Sequence, residues 1–412
     1  MKLMFRYLIH LIILSIMSCG FDHKNNILDE IINSLQSEFH DIVLKPKKHR
    51  LQVLYTQIDR NQKNEPIFNT YSFGIDTGKY FYPASCVKLP IAVLALEKAR
   101  AISKIDITDR FEILPGPIYK SGVSSDTSSK NGYPSLANSI RNLFIISDNS
   151  ANNYLYDFLG RDHINQRLWD LGYNSARIRH RLSLSLSKEE NKFTHSINFY
   201  NESKISYEQK SQIASLSLDV NVEDLKIGKS HYVGGAKRDG PLDFSSKNFM
   251  NLPDQHELIK RIIFPDYFKN RNRFNLSDSD YSILYREMSI LPRESEYPSF
   301  PDYDKYYDGY CKFFLFGDTK IRIPNNIKIF NKIGLAYGFT IDNAYIVDLD
   351  NNVEFFLTAV IYSNSNDVMN DNKYDYENIS IPFLSELGRK IYNYELKREK
   401  NVLPDLAWIK KI

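Results

Sequence analysis

From residue 327 to residue 362 hydrophobic and polar positions follow a period of two, which predicts three consecutive strands: Ile327 to Gly334, Asn343 to Leu349 and Val353 to Tyr362. Asp350-Asn351-Asn352 make a tight turn between the last two. A second strand signal lies near the other end of the chain. Residues 51–58 alternate, Asp59-Arg60-Asn61 turn, and Thr70 to Phe73 supply a partner. Between the two strand regions the spacing is helical. Val87, Leu89, Ile91, Val93, Leu94 and Leu96 make a run that is apolar almost all the way round, the pattern of a helix buried in a core. Leu136 to Ile146 predicts a second apolar helix, introduced by Pro134 and an N-cap at Ser135. Helices are also expected at Asn152–Leu159, Ile164–Leu171, 254–264 and 278–289, with a closing helix over 381–397. Within residues 20–48, Ile27, Ile31, Ile32, Leu35 and Phe39 keep an amphipathic helical spacing. Residues 178–250, rich in Ser, Lys and Asn, predict surface loops with short elements, and 296–310 an aromatic loop broken by aspartate and proline. The expected fold is α+β: an antiparallel sheet made from both chain ends, with a helical block packed on it.

The first nineteen residues do not fit that pattern. Lys2 and Arg6 form a positive start, Tyr7 to Met17 is mostly apolar, and the run meets Ile16-Met17-Ser18-Cys19. It is too short for a comfortable membrane span and reads as an export signal. A small residue before Cys19 resembles a bacterial lipobox, in which Cys19 is lipidated and tethers the chain to a membrane face. A plain secretory signal with an incidental cysteine fits the same residues. The expected location is therefore outside the cytoplasm, as a membrane-anchored lipoprotein or a periplasmic protein.

Composition narrows the function only a little. Over 412 residues, 25% are charged and 42% hydrophobic, an ordinary globular balance, and a net charge of +3 gives no reason to expect nucleic acid. Length alone suggests two to three domains. Apart from Cys19 the cysteines are Cys86 and Cys311, which an oxidising compartment permits to pair but nothing requires to. No histidine–cysteine spacing resembles a metal site, and no cofactor is expected.

The candidate chemistry begins at Ser85, just before the most apolar helix. Residues three apart lie one turn above another, so Lys88 reaches back toward the Ser85 hydroxyl. An ammonium in an apolar wall is pushed toward its neutral form, and a neutral amine can take the serine proton. An ordinary N-cap with a lysine snorkelling to water shares that spacing. Ser147-Asp148-Asn149 follows the second apolar helix, where a turn can present a proton-relaying serine and an asparagine that holds a lysine or a carbonyl. Lys332-Ile333-Gly334 lies on the first of the three late strands. There Lys332 offers a positive charge for a carboxylate, and Gly334 allows close approach of a substrate backbone.

Taken in this order, on helix, turn and strand, the three motifs resemble those of the serine penicillin-recognising enzymes, and among them the class A β-lactamase type. The resemblance covers roughly residues 45–180 and 325–397. It implies that Ser85 is acylated, that Lys88 is its base, and that Ser147 passes a proton to the leaving nitrogen. Asn149 would position substrate and Lys88, and Lys332 would bind the substrate carboxylate. The backbone N–H groups of Ser85 and Leu335 would form the oxyanion hole, beside Gly334 on the strand. Three features depart from the family. Ile333 replaces a hydroxyl residue, and no Glu-x-x-Leu-Asn pattern follows the helices. Glu189 and Glu190, in the corresponding region, lie in a stretch flanked by Lys188 and Lys192 that reads as solvated. Asn149 and Lys332 are 183 residues apart (332 − 149), which implies an insertion over about 180–320. The expected organisation is a lipoprotein signal at 1–19, an anchor and helix at 20–48, and a β-lactamase-like serine hydrolase domain at 49–400. The expected partner is a small β-lactam or acyl-peptide substrate, met by a monomer at a membrane through its lipid anchor. An esterase or peptidase for another acyl substrate, and a non-catalytic surface lipoprotein, both stay open.

Overall fold

The five long strands form one antiparallel sheet because the two ends of the chain pair with each other. The computed structural model describes residues 26–269 and 272–412. The strands β1 (Gln52–Arg60), β2 (Pro66–Phe73), β3 (Ile327–Ala336), β4 (Phe339–Asp348) and β5 (Val353–Tyr362) lie in the order β3-β4-β5-β1-β2. Tyr55 of β1 faces Leu357 of β5, so the N-terminal hairpin completes a sheet whose other three strands begin 254 residues after it ends (327 − 73). The expected α+β sheet from both chain ends is the one observed.

Two boundaries differ from the sequence reading for a local reason. β4 starts at Phe339, four residues before the expected Asn343, because Tyr337 and Gly338 make a two-residue turn with φ of 53° and 82°. Two consecutive positive φ values match the twist of the flanking strands and let pairing begin at once. β2 begins at Pro66 on the open edge of the sheet, where a missing N–H is harmless.

Both faces of the sheet are covered, which is why β4 and β5 are buried at every position. On one face Val53, Tyr55, Ile329, Ile346 and Leu357 pack with helix α1 (Ile27–Ser34) and the closing helix. The expected N-terminal helix is interrupted. After α1 the chain turns at Leu35, a second short helix runs over His40–Leu44, and Phe39 sits edge-on against Phe383 of the closing helix at 5.4 Å. On the other face Phe330, Tyr345, Val347 and Phe356 meet the helical block. The block contains α2 (Lys88–Ala101), α3 (Leu136–Ile145), α4 (Asn149–Leu159), α5 (Arg161–Asp170), α6 (Leu252–Ile263) and α7 (Asp278–Ser289). The closing helix, α8, spans Ile381–Lys397 as expected.

The 178–250 stretch is less superficial than its composition suggests. Ile197–Asn201 pairs with Arg110–Ile113 and Lys204–Gln209 in a three-stranded sheet, and Ile197 and Phe199 are buried in the helical core. Phe244 and Phe249 join a separate apolar cluster with Tyr80, Phe81 and Tyr82. The alternation Ile197-Asn198-Phe199 was the signal for this, hidden among polar neighbours. Residues 1–19, with the lipidation expected at Cys19, lie outside the described residues. Among the described residues no helix is long and apolar enough to cross a membrane.

Candidate active site

Ser85 sits on a 3-10 turn, Ala84–Val87, and Lys88 is the first residue of α2. The turn is pressed onto β3. A Cβ on Gly334 would lie 2.8 Å from the Pro83 carbonyl oxygen, 3.1 Å from Cys86 Sγ and 3.2 Å from Ala84 Cβ. The Cys86 thiol also donates to the Lys332 carbonyl at 3.3 Å. Gly334 thus permits the close approach of the Ser85 turn, a packing role beside the substrate approach expected of it. Ala84, directly before Ser85, has φ of 47°, a conformation most non-glycine residues avoid.

Lys88 is fully buried, yet its ammonium is well supplied with acceptors. It donates to the Ser147 carbonyl, to Ser147 Oγ at 3.2 Å and to Asn149 Oδ1 at 2.7 Å. No hydrogen bond joins Lys88 to Ser85, so the direct contact expected from the helical spacing is replaced by one with the Ser147–Asn149 turn. That turn owes its position to two flanking helices. α3 ends at Ile145, Ser147 takes φ of 56°, and Asp148 caps α4 by accepting from the Ala151 N–H at 2.6 Å. Asn149 is therefore the first residue of α4, three residues earlier than the helix expected from Asn152.

Lys332 approaches the same hydroxyl from β3. Its ammonium donates to Ser147 Oγ at 2.9 Å and to the Ile333 carbonyl at 3.0 Å, and the residue is only 2% exposed. Ile333 points the other way, into the apolar layer beneath α1 and α8. Two buried ammonium groups thus share one serine oxygen. Burial, and then the like charge of Lys332, hold Lys88 well below the usual lysine range. Lys332 is also lowered by burial, against the opposing pull of Cys311, Cys86 and Asp342. Cys86 and Cys311 are both buried free thiols, and burial raises each of them.

Above this cluster lies an open cleft of about 460 Å³ onto which Ser85, Asn149 and Leu335 face. Leu335 pairs with Thr340 on β4 and is 37% exposed at the cleft edge. The lining also includes residues that no motif marked: Ser183, Tyr337, Asn370, Asn372, Tyr374 and Tyr376. Tyr337 belongs to the β3–β4 turn, and Tyr376 accepts the Gly338 N–H at 2.8 Å, which ties it to that turn. Glu189 and Glu190 are elsewhere. The first pairs with Lys192 at 2.8 Å and the second accepts from Ser187, both in solvent.

Residues 34–211 match a protein-family model described as a beta-lactamase enzyme family, and they carry Ser85, Lys88, Ser147 and Asn149. Over those residues the sequence is β-lactamase-like. Two crystal structures extend the likeness, as one of fold, over about nine-tenths of the chain. The TLA-1 extended-spectrum beta-lactamase is 14% identical with a TM-score of 0.51, over 91% of this chain and 100% of its own. A beta-lactamase from Burkholderia vietnamiensis is 12% identical with a TM-score of 0.50, over 90% and 99%. At such identities the likeness is one of fold. No curated protein matches the sequence. In this β-lactamase-like fold the strand carrying Lys332 and the turn carrying Ser85 are brought together by Gly334.

Proposed function

We propose that this β-lactamase-like hydrolase works through a covalent acyl-enzyme at Ser85, with a β-lactam ring as its default substrate. The observation that carries the reading is the Ser147 hydroxyl, hydrogen-bonded to both Lys88 and Lys332 beside a cleft onto which Ser85 opens. Ser85 Oγ adds to the ring carbonyl carbon while its proton passes to the neutral amine of Lys88. The carbonyl oxygen becomes an anion, held by the backbone N–H groups of Ser85 and Leu335, donors of a kind that each contribute about 10²–10³ in rate. The carbon–nitrogen bond breaks as the ring nitrogen takes the proton of Ser147, which Lys88 restores. Water then cleaves the ester and frees Ser85.

A second reading, an esterase or peptidase for another acyl substrate, is favoured by the engagement of Glu189 and Glu190 with Lys192 and Ser187, outside the lining of the Ser85 cleft. Incubation with a chromogenic β-lactam and intact-mass measurement separates the cases. Steady turnover supports the lactamase, a persistent adduct supports the second reading, and no adduct on wild type, as on Ser85→Ala, argues for a non-catalytic surface protein. Export and lipidation at Cys19 are part of the proposal. Palmitate incorporation lost in Cys19→Ala is the expected result.

A further inference from the structure

We infer that Ser183 is a positioning residue for the base of this reaction, acting through the side-chain amide of Asn149. The inference rests on the acyl-enzyme reading above. Asn149 uses both ends of its amide: Oδ1 accepts from Lys88 at 2.7 Å and Nδ2 donates to Ser183 Oγ at 2.7 Å. Only the oxygen end can face an ammonium, because the nitrogen end has no lone pair to offer. The donor-only ammonium sets which end of the amide faces it, and the bond from Nδ2 to Ser183 Oγ pins the far end, so that Oδ1 stays aimed at Lys88. In the other orientation an N–H would meet the ammonium and Lys88 would lose that partner.

The placement of Ser183 is built rather than incidental. Ser183 has φ of 55°, a left-handed conformation that is strained for a residue with a side chain. The preceding peptide is clamped by buried Asn153, whose Oδ1 accepts from the Leu182 N–H at 2.8 Å and whose Nδ2 donates to the Leu182 carbonyl at 2.9 Å. Both asparagines stand on α4, four residues apart, so one helical face holds the loop and receives its hydroxyl. Ser183 lines the cleft beside Asn149. A strained backbone fixed by a bidentate contact, at the lip of a cleft and two hydrogen bonds from a buried base, is the arrangement of a positioning device.

The test is a double-mutant cycle read by the rate at which a fluorescent penicillin labels Ser85. Ser183→Ala is expected to slow labelling about two- to tenfold, the range that loss of one hydrogen bond supports. Ser183→Gly removes the hydroxyl while relieving the positive φ, so it tests the same bond with the loop intact and is expected to show the same loss. In both variants the acid limb of the rate profile moves to lower pH, because an acceptor that favours charged Lys88 is no longer held in place. In an Asn149→Ala background Ser183→Ala is expected to cause no further change. Equal losses with and without Asn149, or a wild-type rate and profile in Ser183→Gly, overturn the inference while leaving acylation at Ser85 standing. Wild type that takes no label at all overturns both.

Discussion

Lys88 and Lys332 both donate to Ser147 Oγ, at 3.2 and 2.9 Å, so two like charges meet across one oxygen where water is scarce. The consequence is a pH dependence with a definite sign. The pKa of Lys88 lies well below 10.5 in the folded chain, so its neutral fraction grows as pH passes that lowered value. Labelling of Ser85 by a penicillin should rise with pH and level off well short of 10.5. A profile still climbing near 10.5 would refute the assignment of Lys88 as base. Stability follows the same direction. Between the lowered pKa and 10.5 the unfolded chain binds more protons than the folded one, so stability rises with pH across that window, and Lys332 adds to the slope. Lys88→Met should reduce that slope and slow labelling by about 10²–10⁴. Gly334 is the other decisive residue. A methyl group there meets the Pro83 carbonyl at 2.8 Å, so Gly334→Ala should cost about 1–3 kcal/mol in denaturant unfolding and slow acylation as the Ser85 turn leaves β3.

At the scale of elements, the site depends on where helices stop. α3 must end at Ile145 and α4 must begin at Asn149 for the turn between them to aim Ser147 and Asn149 at Lys88. Asp148 enforces that start through its bond to the Ala151 N–H. Asp148→Ala should lower stability by about 1 kcal/mol and slow labelling of Ser85, whereas Asp148→Ser should restore the melting temperature. Most elements were legible because their signals are local. The Ser135 cap starts α3, the 278–289 spacing matches α7, and the 381–397 spacing matches α8. The misreadings have physical causes too. Phe39 breaks the N-terminal helix to reach Phe383, and residues 197–201 alternate too briefly to stand out among polar neighbours.

Over the whole molecule, the sheet joins segments from opposite ends of the chain, and one buried ion pair marks the seam. Arg60 on β1 grips Glu354 on β5 with two bonds of 2.7 Å, and Tyr345 on β4 donates to the same carboxylate at 2.7 Å. Glu354→Ala leaves the guanidinium buried without its partner, so thermal and denaturant unfolding should report a loss of about 3–5 kcal/mol. What the sequence determined by itself was the element order, the α+β class and the three motifs, because periodicity, caps and turn residues act over a few neighbours. The tertiary structure alone decided that Ser147 would bridge two ammonium groups and that Gly334 would seat the Ser85 turn. It also decided that Ser183 and the tyrosines would line the cleft. Those contacts join residues from about 34 to 250 positions apart, and no local pattern records a distance between segments that meet only after folding.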